Sequence, residues 1–493
     1  MESTARPIRR LSLATVGDLE SAKRPQVDPR ELQPRIVHFG LGAFHRAHQA
    51  VYTETAAAKT GEPWGIVAVA PRAEAAVRAM REQDCLYSVT DRAPGAWATR
   101  VVGSVIRAAL LSADAEEVEA LVASDSVSVV TLTVTEKGYY RRPDTGVLDT
   151  AAPPIAADLD ATATAGAPLS TVIGRLAASL AARFHASSAP ITVASCDNMA
   201  GNGAALADVV RMFVAASRWT DKEAILEWMA GSVSFPATIV DRIVPATTAE
   251  DRDLASAALG LRDEMPVLGE PYKQWVLEDS FVAERPRWEL DGALFVPDVA
   301  PYQLMKLRML NGSHSAMAYA GLAAGCRTVA DVMAMEWGER LVRRFCAEVA
   351  PTLPGAGLDA AAYADDLVER FRNPSMHHLL QQIGSDGSLK ISERWLGALR
   401  ALRDTGAATP VIETALAAWV NATQPGPDDG QKFGTTDPSS PRLAACWAAS
   451  NSMPERVRCL LGVVGAGDLA EERELAGAVA ERVLAVQSGR VDV

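Results

Sequence analysis

The feature that most constrains the fold is a short apolar run that ends at two glycines. Arg35-Ile36-Val37-His38-Phe39 reads as a strand, and Gly40-Leu41-Gly42 follows it directly. A helical pattern then continues through Tyr52 into Ala56, Ala57 and Ala58. A strand that turns at glycines into a helix opens a βαβ unit, and such units build parallel sheets covered by helices. The turn also carries chemistry. One glycine permits the tight turn, the other lets the backbone approach a pyrophosphate, and free N–H groups at the helix start favour the anion. Gly40, Leu41, Gly42, Ala43 and Phe44 are therefore candidate cofactor-binding residues. His45 stands where the usual G-x-G-x-x-G spacing has its third glycine, so the pattern also fits an ordinary strand-to-helix turn.

The alternation continues. A second strand over 64–70 ends at Pro71-Arg72, and a helix with Ala75, Val77 and Met80 should follow. Residues 127–134 read as a buried strand. The Ala-, Pro- and Thr-rich stretch 151–168 reads as a surface connection. Val172, Leu176, Leu180 and Phe184 keep helical spacing, and a strand over 190–195 ends at Cys196-Asp197-Asn198. Residues 1–34 form an irregular lead-in. After about residue 290 strands become rare, and Ala-, Leu- and Arg-rich stretches such as 329–349 and 412–420 dominate. The chain of 493 residues is too long for one ordinary core. The expected architecture is α/β: a Rossmann-type, doubly wound, NAD-binding domain over 1–290 and a mainly α-helical C-terminal domain over 291–493. No internal repeat is visible.

Near the end of the second strand the cofactor ribose would meet Arg72 and Glu74. Glu74 would accept bonds from ribose hydroxyls and repel a 2′-phosphate, favouring NAD; Arg72 would act the other way. NAD is the expected cofactor. Both residues also fit ordinary surface charge.

Several classes are disfavoured. A net charge of −13 argues against nonspecific nucleic-acid or anionic-membrane binding. No apolar run reaches the roughly 18 residues of a membrane span, and Met1 to Arg10 lacks the apolar core of a signal peptide. The 6 cysteines form no CxxC pair and keep no metal-ligand spacing with histidines. They read as reduced, buried small hydrophobes. The cytoplasm is the expected compartment, no metal is expected, and a monomer is as compatible with the sequence as a homodimer.

The richest stretch runs from Met305 to Ala316. Asn311 and His314 are three apart and share a helix face. Lys306 is five back, about 140° around an ideal helix, and would converge with them across a bend at Gly312. Hydride exchange between an alcohol and a ketone needs a proton partner, and a lysine serves when burial lowers its pKa. Asparagine and histidine can donate hydrogen bonds to the oxygen that develops charge. The same spacing also fits a solvated helix face with a core histidine.

The run Lys306-Leu-Arg-Met-Leu-Asn-Gly-Ser-His resembles the signature of the long-chain polyol and sugar-acid dehydrogenases, the mannitol dehydrogenase family. Six further segments match in order: Ile36-Val-His-Phe-Gly-Leu-Gly-Ala-Phe-His-Arg-Ala-His-Gln-Ala, Thr133-Val-Thr-Glu-Lys-Gly-Tyr, Ser195-Cys-Asp-Asn, Val240-Asp-Arg-Ile-Val-Pro, Glu270-Pro-Tyr-Lys-Gln-Trp-Val-Leu-Glu-Asp and Ser385-Asp-Gly-Ser-Leu-Lys. A histidine at position 45 is itself typical of this family. The resemblance implies a Rossmann-type domain, a helical domain and an active site between them. It implies that Lys306 is the general base in alcohol oxidation and the acid in reduction, with Asn311 and His314 holding the reacting oxygen. Asn198 and Asp241 match substrate contacts, Glu136 a carboxylate near the catalytic lysine, and Lys390 a substrate contact in the second domain.

The family divides mainly into mannitol 2-dehydrogenases and reductases of fructuronate or tagaturonate. Lys137 after Glu136, Gln382 in place of a substrate-binding arginine, and Arg308 in the signature lean toward the sugar-acid branch. Lys137, Arg308 or Lys390 would then hold the substrate carboxylate, although Lys137 and Arg308 also fit as partners of internal carboxylates. His378 matches a histidine of the reductase branch, while its neighbour His377 replaces an expected basic residue. The expected reaction is reversible reduction of D-fructuronate to D-mannonate with NADH. The alternative substrate is mannitol or another polyol such as arabinitol. A noncatalytic nucleotide-binding protein on the same scaffold would have no need to keep Lys306, Asn311 and His314 together.

Overall fold

The structure is a computed structural model that describes residues 8–491 except 165, 356, 377, 428 and 429. His377 and the start of the lead-in therefore lie outside the described residues. The chain divides into two compact units, residues 1–299 and 300–493.

The first unit is built on β1 (Gln33–Phe39), β2 (Trp64–Ala70), β3 (Tyr87–Ala93), β4 (Ala96–Val102), β5 (Val105–Leu110), β6 (Val129–Leu132), β7 (Ile191–Ser195) and β8 (Val233–Ser234). Six of them form one sheet in the order β5-β2-β1-β6-β7-β8. All its neighbours pair in parallel. Numbered within the sheet, this is the doubly wound order 3-2-1-4-5-6, which reverses direction between β1 and β6. Strands covered on both faces need apolar residues without alternation, and β2, Trp-Gly-Ile-Val-Ala-Val-Ala, is buried throughout. Val37 and Phe39 of β1 join one apolar cluster and Ile36 joins the other, as pleating requires. Two small sheets are completed by β9 (Thr238–Asp241), β10 (Val267–Gly269), β11 (Gln274–Glu278) and β12 (Leu294–Val296).

The connecting helices are α1 (Ala43–Ala47), α2 (Gln49–Thr60), α3 (Glu74–Glu82), α4 (Ala115–Ala123), α5 (Pro153–Ala161), α6 (Val172–Ala186), α7 (Asn202–Ala216), α8 (Lys222–Ser232) and α9 (Ala249–Leu259). Two expectations are corrected here. The first helix is broken at His48, whose backbone leaves the helical region at φ −122° and ψ −90°. Its Nε2 is bonded to the Gln274 carbonyl at 2.8 Å, and its ring meets Trp275 edge-on. The stretch 151–168 is also more than a surface connection, because it contains α5. Prolines open that helix, where no N–H is needed. Its buried Asp158 accepts the backbone N–H and hydroxyl of both Ser170 and Thr171.

Among its described residues the second unit consists of helices and their connections, with isolated bridges at Thr328–Leu379 and Pro425–Gln431. It comprises α10 (Ala300–Met305), α11 (Gly312–Ala323), α12 (Val329–Ala334), α13 (Gly338–Val349), α14 (Ala360–Phe371), α15 (Leu380–Gly384), α16 (Gly387–Ile391), α17 (Gly397–Asp404), α18 (Pro410–Ala422), α19 (Ser440–Ala449), α20 (Met453–Val463), α21 (Gly467–Glu471) and α22 (Arg473–Gln487). α18 packs against both α11 and α22 and is buried at every position from Val411 to Ala422. That explains a helix apolar on all sides.

One reading of the cysteines is overturned. Cys446 and Cys459 form a disulfide, because the short link between α19 and α20 folds one helix back along the other. Cys85, Cys196, Cys326 and Cys346 are free. No described helix is long and apolar enough to cross a membrane. Among the described residues, no group of three or more His, Cys, Asp or Glu is placed to hold a metal ion.

Candidate active site

A cleft of about 650 Å³ opens in the first unit at the carboxyl ends of β1, β2 and β6. Gly40, Leu41 and Gly42 line it, with Arg72 after β2, Thr133 to Thr135 and Lys137 after β6, and Ser170 to Val172. It lies at the point where strand order reverses, where open α/β sheets bind their ligands. Gly40 has φ +136°, and a Cβ there would come within 2.5 Å of Thr133 Oγ1 and 2.7 Å of the Thr133 carbonyl. Only glycine fits this turn. Gly42 has nothing within 4 Å of the Cβ position, so the open space beside it is available to a ligand. Ala43 and Phe44 form the first turn of α1 and are not part of the lining. The cradle fits a dinucleotide pyrophosphate.

The third glycine is dispensable for a visible reason. The His45 ring stacks on His38 of β1, with centroids 3.5 Å apart and planes 11° apart. Two flat rings thus do what a close helix–strand approach does elsewhere. His38 also bonds Thr131 Oγ1 at 2.7 Å and Thr133 Oγ1 at 2.8 Å, which fixes a hydroxyl of the cleft residue. Burial pushes the His45 pKa down to about 3 and that of His38 well below its ordinary value, so both rings stay neutral.

Arg72 stands in the cleft, whereas Glu74 is exposed in the first turn of α3 and is not in the lining. The loop after β6 presents Glu136 and Lys137, both exposed, with Lys137 on the cleft wall. Thr135 in this loop has φ +67°, a strained value for a β-branched residue. The loop is held by a residue that sequence reasoning left without a role. Buried Asp197 accepts the backbone N–H groups of Val134 (3.2 Å) and Thr135 (2.8 Å) and the Tyr139 hydroxyl (2.8 Å). Its position in Ser195-Cys-Asp-Asn was the available signal. Burial raises its pKa despite these donors. Asn198 follows on the same loop and is exposed, and Asp241 ends β9 and is buried.

In the second unit the Lys306 stretch is not an ideal helix. Residues Lys306–Asn311 form a π-helix between α10 and α11. Its wider i→i+5 turn closes most of the 140° offset expected for an ideal helix, so Lys306 and Asn311 lie near one side. His314 follows one turn later on α11, and all three residues are half-buried. Gly312 is not the expected bend. It is helical at φ −64°, and a Cβ there would lie 2.8 Å from the Phe345 ring.

The His314 ring packs on Phe371 with centroids 4.4 Å apart and lies edge-on to His378 at 5.7 Å. Its Nε2 is shut off from solvent and has no hydrogen-bond partner. Burial first, then His378, Arg370 and Arg394, hold its pKa well below the ordinary value. A neutral imidazole with one unsatisfied nitrogen can form a hydrogen bond with a polar group brought against it. The structure thus places His378 beside His314.

Other candidates are placed elsewhere. Arg308 donates to the Thr352 carbonyl at 2.6 Å. Lys390 donates to the carbonyls of Ser385 (2.6 Å) and Ile383 (3.1 Å), and burial lowers its pKa. Gln382 is exposed. Sequence reasoning also left Arg394 and Trp395 without a role. They belong to a second π-helix, Ser392–Leu396. Arg394 donates to Ser315 Oγ at 2.8 Å and to the Asn311 carbonyl at 3.3 Å, and Trp395 Nε1 donates to the Gly312 carbonyl at 3.0 Å.

A doubly wound sheet with a glycine cradle at its switch point defines a Rossmann-type oxidoreductase scaffold. Residues 34–290 match the mannitol dehydrogenase Rossmann domain, and residues 298–487 match the mannitol dehydrogenase C-terminal domain. The chain belongs to the mannitol dehydrogenase family. Among its relatives, the uncharacterized oxidoreductase YdfI of Escherichia coli is 38% identical over 452 residues, covering 91% of each chain. D-mannonate oxidoreductase of Escherichia coli is 37% identical over 464 residues, covering 92% of this chain and 94% of the relative. Among solved structures, substrate-free D-sorbitol dehydrogenase superposes with a TM-score of 0.88 at 28% identity, covering 98% of this chain and 100% of that one. The ternary complex of Pseudomonas fluorescens mannitol 2-dehydrogenase with NAD and D-mannitol superposes with a TM-score of 0.76 at 30% identity, covering 98% of both.

Proposed function

We propose that the protein is an NAD-linked dehydrogenase that interconverts D-fructuronate and D-mannonate. The observation that carries the sugar-acid choice is the charge around His314. Arg370 and Arg394 act on it beside a His378 that burial disfavours as a cation, while Asp366 in turn acts on Arg370. Such a surround favours an anionic substrate.

NADH, when bound, supplies the hydride that reduces the keto carbon at C5 of fructuronate. Gly40 to Gly42 accommodate its pyrophosphate, and Arg72 lies on the wall of the same cleft. Lys306 gives its ammonium proton to the carbonyl oxygen as that oxygen becomes an alcohol, and takes the proton back in oxidation. Asn311 and His314 hold this oxygen and stabilise its developing charge. Asn198 and Asp241 hold substrate hydroxyls, and Glu136 exchanges the lysine proton with water. No metal has a role in this scheme. The cytoplasm is the proposed compartment, where the thiol pool would act on the Cys446–Cys459 pair.

One observation favours a neutral polyol instead. Arg308 and Lys390, two cations that were candidates for the carboxylate, already serve backbone carbonyls. Initial rates on D-mannonate, D-altronate, D-mannitol and D-arabinitol, each with NAD and NADP, decide between the readings. Turnover of D-mannonate with NAD is expected. Oxidation of mannitol with D-mannonate untouched would overturn the sugar-acid assignment.

A further inference from the structure

We propose that Arg394 is a positioning residue for the reaction, holding the junction between the Lys306–Asn311 π turn and α11 so that Asn311 and His314 meet the same oxygen. This rests on the reading that these two residues bind the reacting oxygen. A main-chain carbonyl has two lone pairs, so one at the junction of a π turn and an α-helix can accept a side-chain donor beside its helical partner. The carbonyls of Asn311 and Gly312 lie at that junction. Arg394 donates to the first at 3.3 Å and Trp395 to the second at 3.0 Å. Arg394 bonds Ser315 Oγ as well, at 2.8 Å, and so bridges from the π turn into α11.

These two donors are consecutive in sequence. They reach two consecutive carbonyls of one helix, those of Asn311 and Gly312. Ser392–Leu396 is itself a π turn. One π turn thus braces the end of the other.

The guanidinium has a further property that a plain brace does not need. Arg394 makes no ion pair among the described residues, and burial lowers its pKa. Its charge also acts on His314. Arg370, at the end of α14, and His378, in the stretch that follows, act on His314 as well; Asp366 of α14 acts on Arg370, Lys306 shares the reacting oxygen in the proposed reaction, and Phe371 is apolar. Removing the Arg394 charge weakens one of the forces that keep His314 neutral.

The test uses the full-length protein with Arg394→Gln, Arg394→Lys and, as reference, Asn311→Ala. For the ketone that the wild type reduces fastest, kcat, KM and the pH dependence of kcat are measured from pH 5 to 9, with NADH affinity and Tm alongside. Arg394→Gln should lower kcat by about 10²-fold, the usual effect of a small misplacement of reacting groups, with NADH affinity unchanged. Its acid limb should move up toward pH 6.5 as His314 becomes easier to protonate. Arg394→Lys should restore the wild-type acid limb but only part of kcat. Wild-type kcat and acid limb in Arg394→Gln would overturn the proposal, as would a loss that tracks Tm with the acid limb unmoved. If Arg394→Gln does not fold, Arg394→Lys decides: reduced kcat with unchanged NADH affinity supports the proposal and full kcat overturns it. Undiminished turnover in Asn311→Ala would overturn the catalytic reading itself, and this inference with it.

Discussion

The two units prepare for the reaction by different means. In residues 1–299 the backbone does the work: a glycine at φ +136° and a helix start face a cleft. In residues 300–493 side chains do it, set on helices wound out of the usual phase at Lys306–Asn311 and Ser392–Leu396. A backbone cradle depends on strand order and tolerates exchange of its packing residues, as His45 in place of glycine illustrates. Side-chain chemistry depends on angular phase, and one π turn changes which residues converge.

The comparison is tested most severely at Lys306. Lys306→Ala should lower kcat by about 10²–10⁴-fold, the usual worth of a positioned acid–base group, while NADH still binds. Fluorescence titration and steady-state rates separate the two effects. Undiminished turnover would sink the division of labour. In the other unit, Gly40→Ala should destabilise by at least about 1–3 kcal/mol through backbone strain alone, with the Thr133 clash added. Gly42→Ala should leave Tm nearly unchanged and weaken NADH binding, because open space adjoins it. Equal melting temperatures for the two variants would show that the turn is not under the constraint described.

The stacked imidazoles give a pH signature. The folded-state pKa of His45 is about 3, below the ordinary 6.5 of the unfolded chain, so the unfolded state binds the proton first. Its contribution is fully present above pH 6.5 and is lost as pH falls from 6.5 toward 3. His45→Phe keeps a ring on His38 but cannot titrate. Between pH 6.5 and 5.5 the wild type should lose about 1 kcal/mol relative to this variant, measured by urea unfolding at each pH. Parallel stability profiles would contradict a buried neutral His45. The smallest effect concerns cofactor choice. Arg72→Ala should change the NAD-to-NADP preference, whereas Glu74→Ala, exposed and outside the cleft lining, should change it by no more than about 0.5 kcal/mol. The reverse result would restore Glu74 as the ribose contact.

The legible parts of the sequence were those where one physical demand dominates. Burial on both faces made β2 readable to the residue, and the strand–glycine–helix turn located the cleft. The α5 stretch misled because alanine, proline and threonine resemble a loop, although the two prolines open a helix and Asp158 serves the start of α6. Spacing brought out Lys306, Asn311 and His314, but the π turn that changes their angular phase was hidden. An extra residue in a helical turn leaves no mark in hydrophobic periodicity. Arg394, Asp197 and the Cys446–Cys459 bridge were hidden too, because each acts on residues distant in sequence or across a hairpin. Arg308 shows the converse: it lies within the signature, yet its guanidinium serves the Thr352 carbonyl.

The claim that the site seeks a sugar acid is tested most directly by one ratio: kcat/KM with NADH for D-fructuronate over D-fructose. The two ketones share the reacting carbon and differ by the carboxylate. One charge-assisted hydrogen bond, about 1.5–3 kcal/mol, predicts a ratio of about 10–10² in favour of fructuronate. A ratio at or below unity would contradict the assignment and leave a neutral polyol as the substrate.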